Sequence, residues 1–115
     1  MVDTSPDFVA TLTNQGKTYP ITGNAASITV YTPAIGRYFV VYHYYLQATG
    51  ATNVTWLSGA TALSGVVPYA AHAEKEHNNN GAMIMKGRAK GDALVITNSA
   101  PAQIDGWVVI TEVDR

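Results

Sequence analysis

Hydrophobic and polar positions alternate most persistently over residues 37–48, RYFVVYHYYLQA. Seven of these twelve residues are aromatic or β-branched, and no Gly or Pro interrupts them, so they read as one long β-strand. Tyr38, Val40, Tyr42, Tyr44 and Leu46 fall on one face, which predicts its core side. Arg37, Phe39, Val41, His43, Tyr45 and Gln47 fall on the other. That second face is half apolar, whereas an antiparallel strand facing water normally shows more polar residues there. It calls for a cover, either a second layer of this chain or another subunit. Phe39, Val41, His43 and Tyr45 are the candidate contact residues for an oligomer or other partner.

Shorter strand patterns surround this one. Residues 8–13 alternate Phe8, Ala10 and Leu12 against Val9, Thr11 and Thr13. Residues 18–22 contain Pro20, which cannot donate to a ladder and so belongs on an edge or outside the sheet. Residues 27–32 follow, then 53–58, where Val54, Trp56 and Ser58 share a face. Residues 61–64 and 66–69 are separated by Gly65, a bulge or bend position. Residues 81–86, 93–98 and 104–113 complete the set, with Gly106 marking a bulge or a close backbone approach. Trp56 and Trp107 are expected in the interior. Residues 70–80, AAHAEKEHNNN, read equally as a helical stretch and as a long surface loop with one helical turn. Short strands with frequent turn signals and connections too short for parallel crossovers make an all-β, single-domain antiparallel β-sandwich or barrel of about eight strands.

Composition narrows the function classes. The 115 residues suffice for one domain with a core of its own. Charged residues are 13%, against about 25% in an average domain, and the net charge is −1. No basic field invites nucleic acid, and no polybasic segment or long apolar run invites a membrane. Such a surface suits cover by protein neighbours or exposure outside a cell. The start of the chain, MVDTSPDFVATL, lacks the charge and apolar run of a secretory signal. With no cysteine, disulfides, thiolate zinc sites and a thiol nucleophile are all excluded.

Catalytic parts are equally scarce. His72 and His77 lie five apart, off the spacing that puts two ligands on one helical face, though Glu74 and Glu76 between them make a His/Glu patch conceivable. His43 reads first as a hydrogen-bonded packing residue. No carboxylate sits among aromatics on an apolar strand face, where its pKa would be raised for acid work. There is no GxSxG and no Gly-rich phosphate loop. The expectation is a protein that is not an enzyme and needs no cofactor or metal. Tyrosine is the exception: four of seven lie in residues 38–45, where they pack a subunit contact or stack a sugar.

The second half carries a resemblance. The string TWLSGATALSGVVPYA, and later GDALVITNSAPAQIDGWVVITEV, resembles small virion proteins of tailed bacteriophages. In that group a strand ending in Ser-Gly precedes a T-x-L-[ST]-G turn and a Pro-bearing strand, here Ser58-Gly59, residues 61–65 and Pro68. A G-[DE]-x-L strand then precedes a terminal [IV]-x-G-x-[VL] strand ending in Glu, here residues 91–96 and 104–112. The likeness covers residues 37–113 and departs from the pattern at residues 70–80. It implies a jelly-roll-like sandwich that trimerises on a phage particle, as a capsid decoration (cement) protein or as a receptor- or glycan-binding head of a fibre or tail tip. The partners implied are further copies of the chain and the major capsid protein or another virion protein, with no catalytic residues carried over. Residues 1–22 lie outside the likeness and are interrupted by Pro6, Gly16 and Pro20. They read as a docking arm with Phe8, Leu12 and Tyr19 as apolar anchors.

Overall fold

A computed structural model describes residues 16–115 and contains ten strands. These are β1 (Lys17–Gly23), β2 (Ser27–Tyr31), β3 (Tyr38–Ala48), β4 (Thr52–Ser58), β5 (Thr61–Ala62), β6 (Val67–Tyr69), β7 (Glu74–Asn78), β8 (Met85–Lys86), β9 (Leu94–Asn98) and β10 (Ile104–Val113). No helix forms among the described residues. One antiparallel sheet has the order β1-β10-β3-β7, with β8 also on β3. The other has the order β2-β9-β4-β5, with β6 also on β4. β1 to β4 alternate between the sheets, β5 and β6 stay with β4, β7 and β8 return to the first sheet, and β10 lies between β1 and β3. This is the double Greek-key order of a jelly-roll sandwich. The Phe8–Thr13 strand pattern lies outside the described residues.

The core fills the space between the sheets. Val54, Trp56 and Ser58 of β4 are buried on one parity, as their alternation requires. Leu94 and Ile96 of β9 and Ile104, Val108 and Ile110 of β10 join Val54 and Trp56 in the same cluster. Trp56 rests on Tyr44, with ring centroids 4.6 Å apart.

β3 corrects the reading of its faces. Val41 pairs with Ile110 and His43 with Val109, so Tyr42 is an extra residue with no partner on β10. A bulge of this kind reverses which parity points inward. Phe39 and Val41 enter the core ahead of it, and Leu46 and Ala48 after it. The run is apolar on both parities because each parity serves the core for half its length. The cover needed by Phe39 and Val41 is the second sheet.

The 70–80 stretch also differs from expectation. Glu74–Asn78 pairs with Gln47–His43 as an edge strand whose residues are all exposed. Low intrinsic β-preference yields to tertiary context: β3 offers an unpaired row of backbone groups, and the segment lies beside it. His72 and Asn80, both at positive φ, turn the chain into and out of the strand.

Pro20 sits in the edge strand β1, where its missing N–H costs no interior ladder bond. Asn98, fully buried, closes one end of the sandwich. Its side-chain oxygen accepts from Thr52 Oγ1 at 2.7 Å and from Ala102 N at 3.2 Å. Its amide donates to the carbonyls of Ala25 at 3.2 Å and Ala102 at 2.6 Å. All four polar valences are used, which is what burial of an amide demands.

Candidate functional site

The outer face of the β1-β10-β3-β7 sheet brings together side chains far apart in sequence. Register sets them in rungs that run across four strands. The first holds Thr18, Val109, His43 and Asn78. Pro20, Trp107, Tyr45 and Glu76 make the second, and Thr22, Asp105, Gln47 and Glu74 the third.

The middle rung is the apolar one. Tyr45 stacks beside Trp107 with centroids 6.1 Å apart and planes 22° from parallel. His43 meets the same indole edge-on at 4.6 Å and 79°. A shallow trough of about 410 Å³ lies on the β1 side of the indole, lined by Thr18, Pro20, Gly106 and Trp107.

Carboxylates edge this rung on diagonals. The Tyr45 hydroxyl donates to Glu74 Oε2 at 2.7 Å. That hydrogen bond to an anion raises the phenol pKa above its ordinary value. His43 Nε2 and Glu76 Oε2 lie 2.6 Å apart, with the imidazole 22% and the carboxylate 55% exposed. Thr22 Oγ1 donates to Asp105 Oδ1 at 2.7 Å. The arrangement offers flat aromatic surface with hydrogen-bond acceptors beside it.

Of the candidate contact residues, His43 and Tyr45 lie on this outer face. Phe39 and Val41 are wholly enclosed in the core, so neither reaches a partner. Trp107, expected inside, is half-buried on the outer face. Its neighbours carried the signal: Ile104, Val108 and Ile110 share an even parity, leaving the odd-numbered indole pointing away. Phe8 and Leu12 lie outside the described residues. Tyr19 packs inward on β1 against Tyr31, with centroids 4.8 Å apart. Among the described residues no group of His, Asp and Glu is arranged to hold a metal ion, so His72, His77, Glu74 and Glu76 do not form the conceivable patch.

A second cluster closes the opposite end of the first sheet. Tyr31 donates to the Glu112 carboxylate, and Arg37 Nη2 donates to the Glu112 carbonyl at 3.1 Å. Burial first, and the bond to Glu112 second, push the Tyr31 pKa far up. These contacts tie the β2–β3 loop to the end of β10.

No described protein family matches the chain, and no curated protein matches it. Among solved structures, it is similar to a chain of the cryo-EM virus-like particle of extra small virus from the giant freshwater prawn Macrobrachium rosenbergii. That likeness has a TM-score of 0.44 and 18% identity, over 84% of this chain and 76% of that one.

Proposed function

We propose that the chain is a structural protein of a virus particle, a decoration or cement protein on a tailed-phage capsid, working as a homo-oligomer, most simply a trimer. The observation that carries this reading is the jelly-roll strand order together with where the phage-like motifs fall upon it. Ser58-Gly59 ends β4, residues 61–65 make β5 and its turn, Pro68 lies in β6, and residues 91–96 lead into β9. All are turn and core positions of one framework, and jelly rolls recur in capsid and lectin domains. The proposed role is structural, not catalytic.

Exposed apolar surface beside β8 supports self-association. Met83 is 52% exposed, and the residues after it, Ile84 and Met85, line a groove of about 440 Å³ with Tyr38, Leu63, Lys86, Gly87 and Arg88. Apolar groups collected at one sandwich edge fit the centre of a subunit contact. Docking on the shell falls to the residues before Gly16, which carry Phe8 and Leu12, because Lys17–Gly23 is held within the sheet as β1.

Immuno-electron microscopy of purified particles tests the role, and sedimentation of the isolated chain tests the assembly. Label spread over the whole shell and a trimeric mass are expected. A chain absent from the particle overturns the virion reading, and a monomer at micromolar concentration overturns the oligomer. Label confined to the tail or fibres would favour the alternative, a receptor- or glycan-binding head. The Trp107–Tyr45 pair is the observation on its side.

A further inference from the structure

We infer that the outer face of the first sheet is a saccharide platform, with Trp107 as its floor and Glu76 as its principal hydroxyl acceptor. The inference holds for a chain on the shell or on a fibre, because it rests on the face alone.

Three features of the face select this ligand. First, Pro20, Trp107 and Tyr45 stand in one rung, a line of three ring-bearing side chains perpendicular to the strands. With strands about 4.8 Å apart, the four-strand rung measures about 14 Å, a length for a short oligosaccharide instead of a single ring. The C–H groups on one face of a pyranose carry slight positive charge, and an indole face carries the complementary negative charge. Sequence-distant aromatics aligned this way make an apolar floor that a sugar covers without hydrogen-bonding to it.

Second, the borders of the strip accept and donate where a sugar's hydroxyls would project. Glu76 stands at the end of the aromatic rung, more than half exposed, and its pairing with His43 leaves acceptor capacity on the carboxylate. Thr18 and Asn78 stand one rung away on one side, Asp105 and Glu74 on the other. Tyr45 and His43, each bonded to a β7 carboxylate, are held in place before a ligand arrives. Little ordering is then left to be done on binding.

Third, charge decides the class of saccharide. The three rungs hold Asp105, Glu74 and Glu76 and neither lysine nor arginine. An acidic polymer would bring its carboxylates against three others, at a cost in like-charge repulsion. A neutral glycan carries no such penalty, and its hydroxyls give the carboxylates charge-assisted donors.

The chain has two tryptophans, and only Trp107 lies on the platform; Trp56 is enclosed. The full chain is titrated with neutral hexasaccharides of glucose, mannose, galactose and N-acetylglucosamine, with hexagalacturonate and hexalysine as charged probes. Binding is followed by indole fluorescence and by calorimetry. At least one neutral sugar should bind saturably and alter the fluorescence, and hexagalacturonate should not. Trp107→Ala should abolish both signals with its circular dichroism unchanged. Glu76→Gln, at an exposed position that does not endanger folding, should weaken binding about tenfold by removing a charge-assisted hydrogen bond. The proposal is overturned if none of the four neutral sugars binds at millimolar concentration, or if Glu76→Gln binds as the wild type does. Equal affinity for hexagalacturonate overturns it too, and binding of hexalysine in place of the sugars reassigns the face to a cationic protein partner. None of these outcomes bears on where the chain sits on a particle, which microscopy decides separately.

Discussion

Gly106 lies against the carbonyl of Tyr45: a Cβ built on it would stand 1.9 Å from that oxygen. No side-chain rotation relieves such a clash, because the obstacle is backbone in the neighbouring strand. Gly106→Ala should therefore force β10 away from β3 and cost roughly 3 kcal/mol or more. Urea unfolding measures it, and a variant as stable as the wild type would mean the two strands are not in this register.

The two tryptophans should behave differently. Trp56 is 2% exposed in the centre of the core. Trp56→Ala should cost about 3–5 kcal/mol. Trp107 packs on one face of the first sheet only, so Trp107→Ala should cost about 1 kcal/mol. Equal losses from the two would contradict the assignment of Trp107 to the outer face.

Asn98→Ala should lower stability by about 2–3 kcal/mol, since it strands a buried hydroxyl, an amide N–H and two carbonyls. In a domain of this size that corresponds to a fall in Tm of about 8–20 °C, read by calorimetry. A fall of only a degree or two would show that water replaces the amide.

Alkaline pH should unfold the chain progressively. Tyr31, Tyr44 and Tyr69 all have folded pKa values above the ordinary phenol value, in each case chiefly through burial. A raised folded pKa contributes stability that is complete below the unfolded value of about 10 and is lost as pH rises toward the folded one. Urea midpoints should hold steady from about pH 7 to 9 and decline above about pH 10. Tyr31→Phe should flatten the decline, and an unchanged slope would remove Tyr31 from the linkage.

Much of the sandwich was legible because its strands obey strict alternation. The parity of Val54, Trp56 and Ser58 already marks the inward face of β4, and the same holds for Leu94, Ile96 and Asn98 in β9. Pro20 and Gly106 announce an edge and a close approach through backbone chemistry alone. What stayed hidden depends on pairing over long separations. Glu74–Asn78 has no strand character until β3 lies beside it. Trp107 reaches Tyr45 only through a register set sixty-two positions along the chain. The platform is a property of the rungs, and no local pattern in the chain encodes a rung.

The extra residue at Tyr42 makes β3 a strand with two phases. In a complete substitution scan, intolerance should fall on Phe39 and Val41 before the bulge, with buried Val40 between them, and on even positions after it. An insertion or deletion would then be judged by where it occurs. Removing one residue near Tyr42 joins the two phases into one, whereas removing one elsewhere turns half the strand inside out. For β3 the length of the strand is as much a folding instruction as its residues are, and variation in length should be confined to that single position.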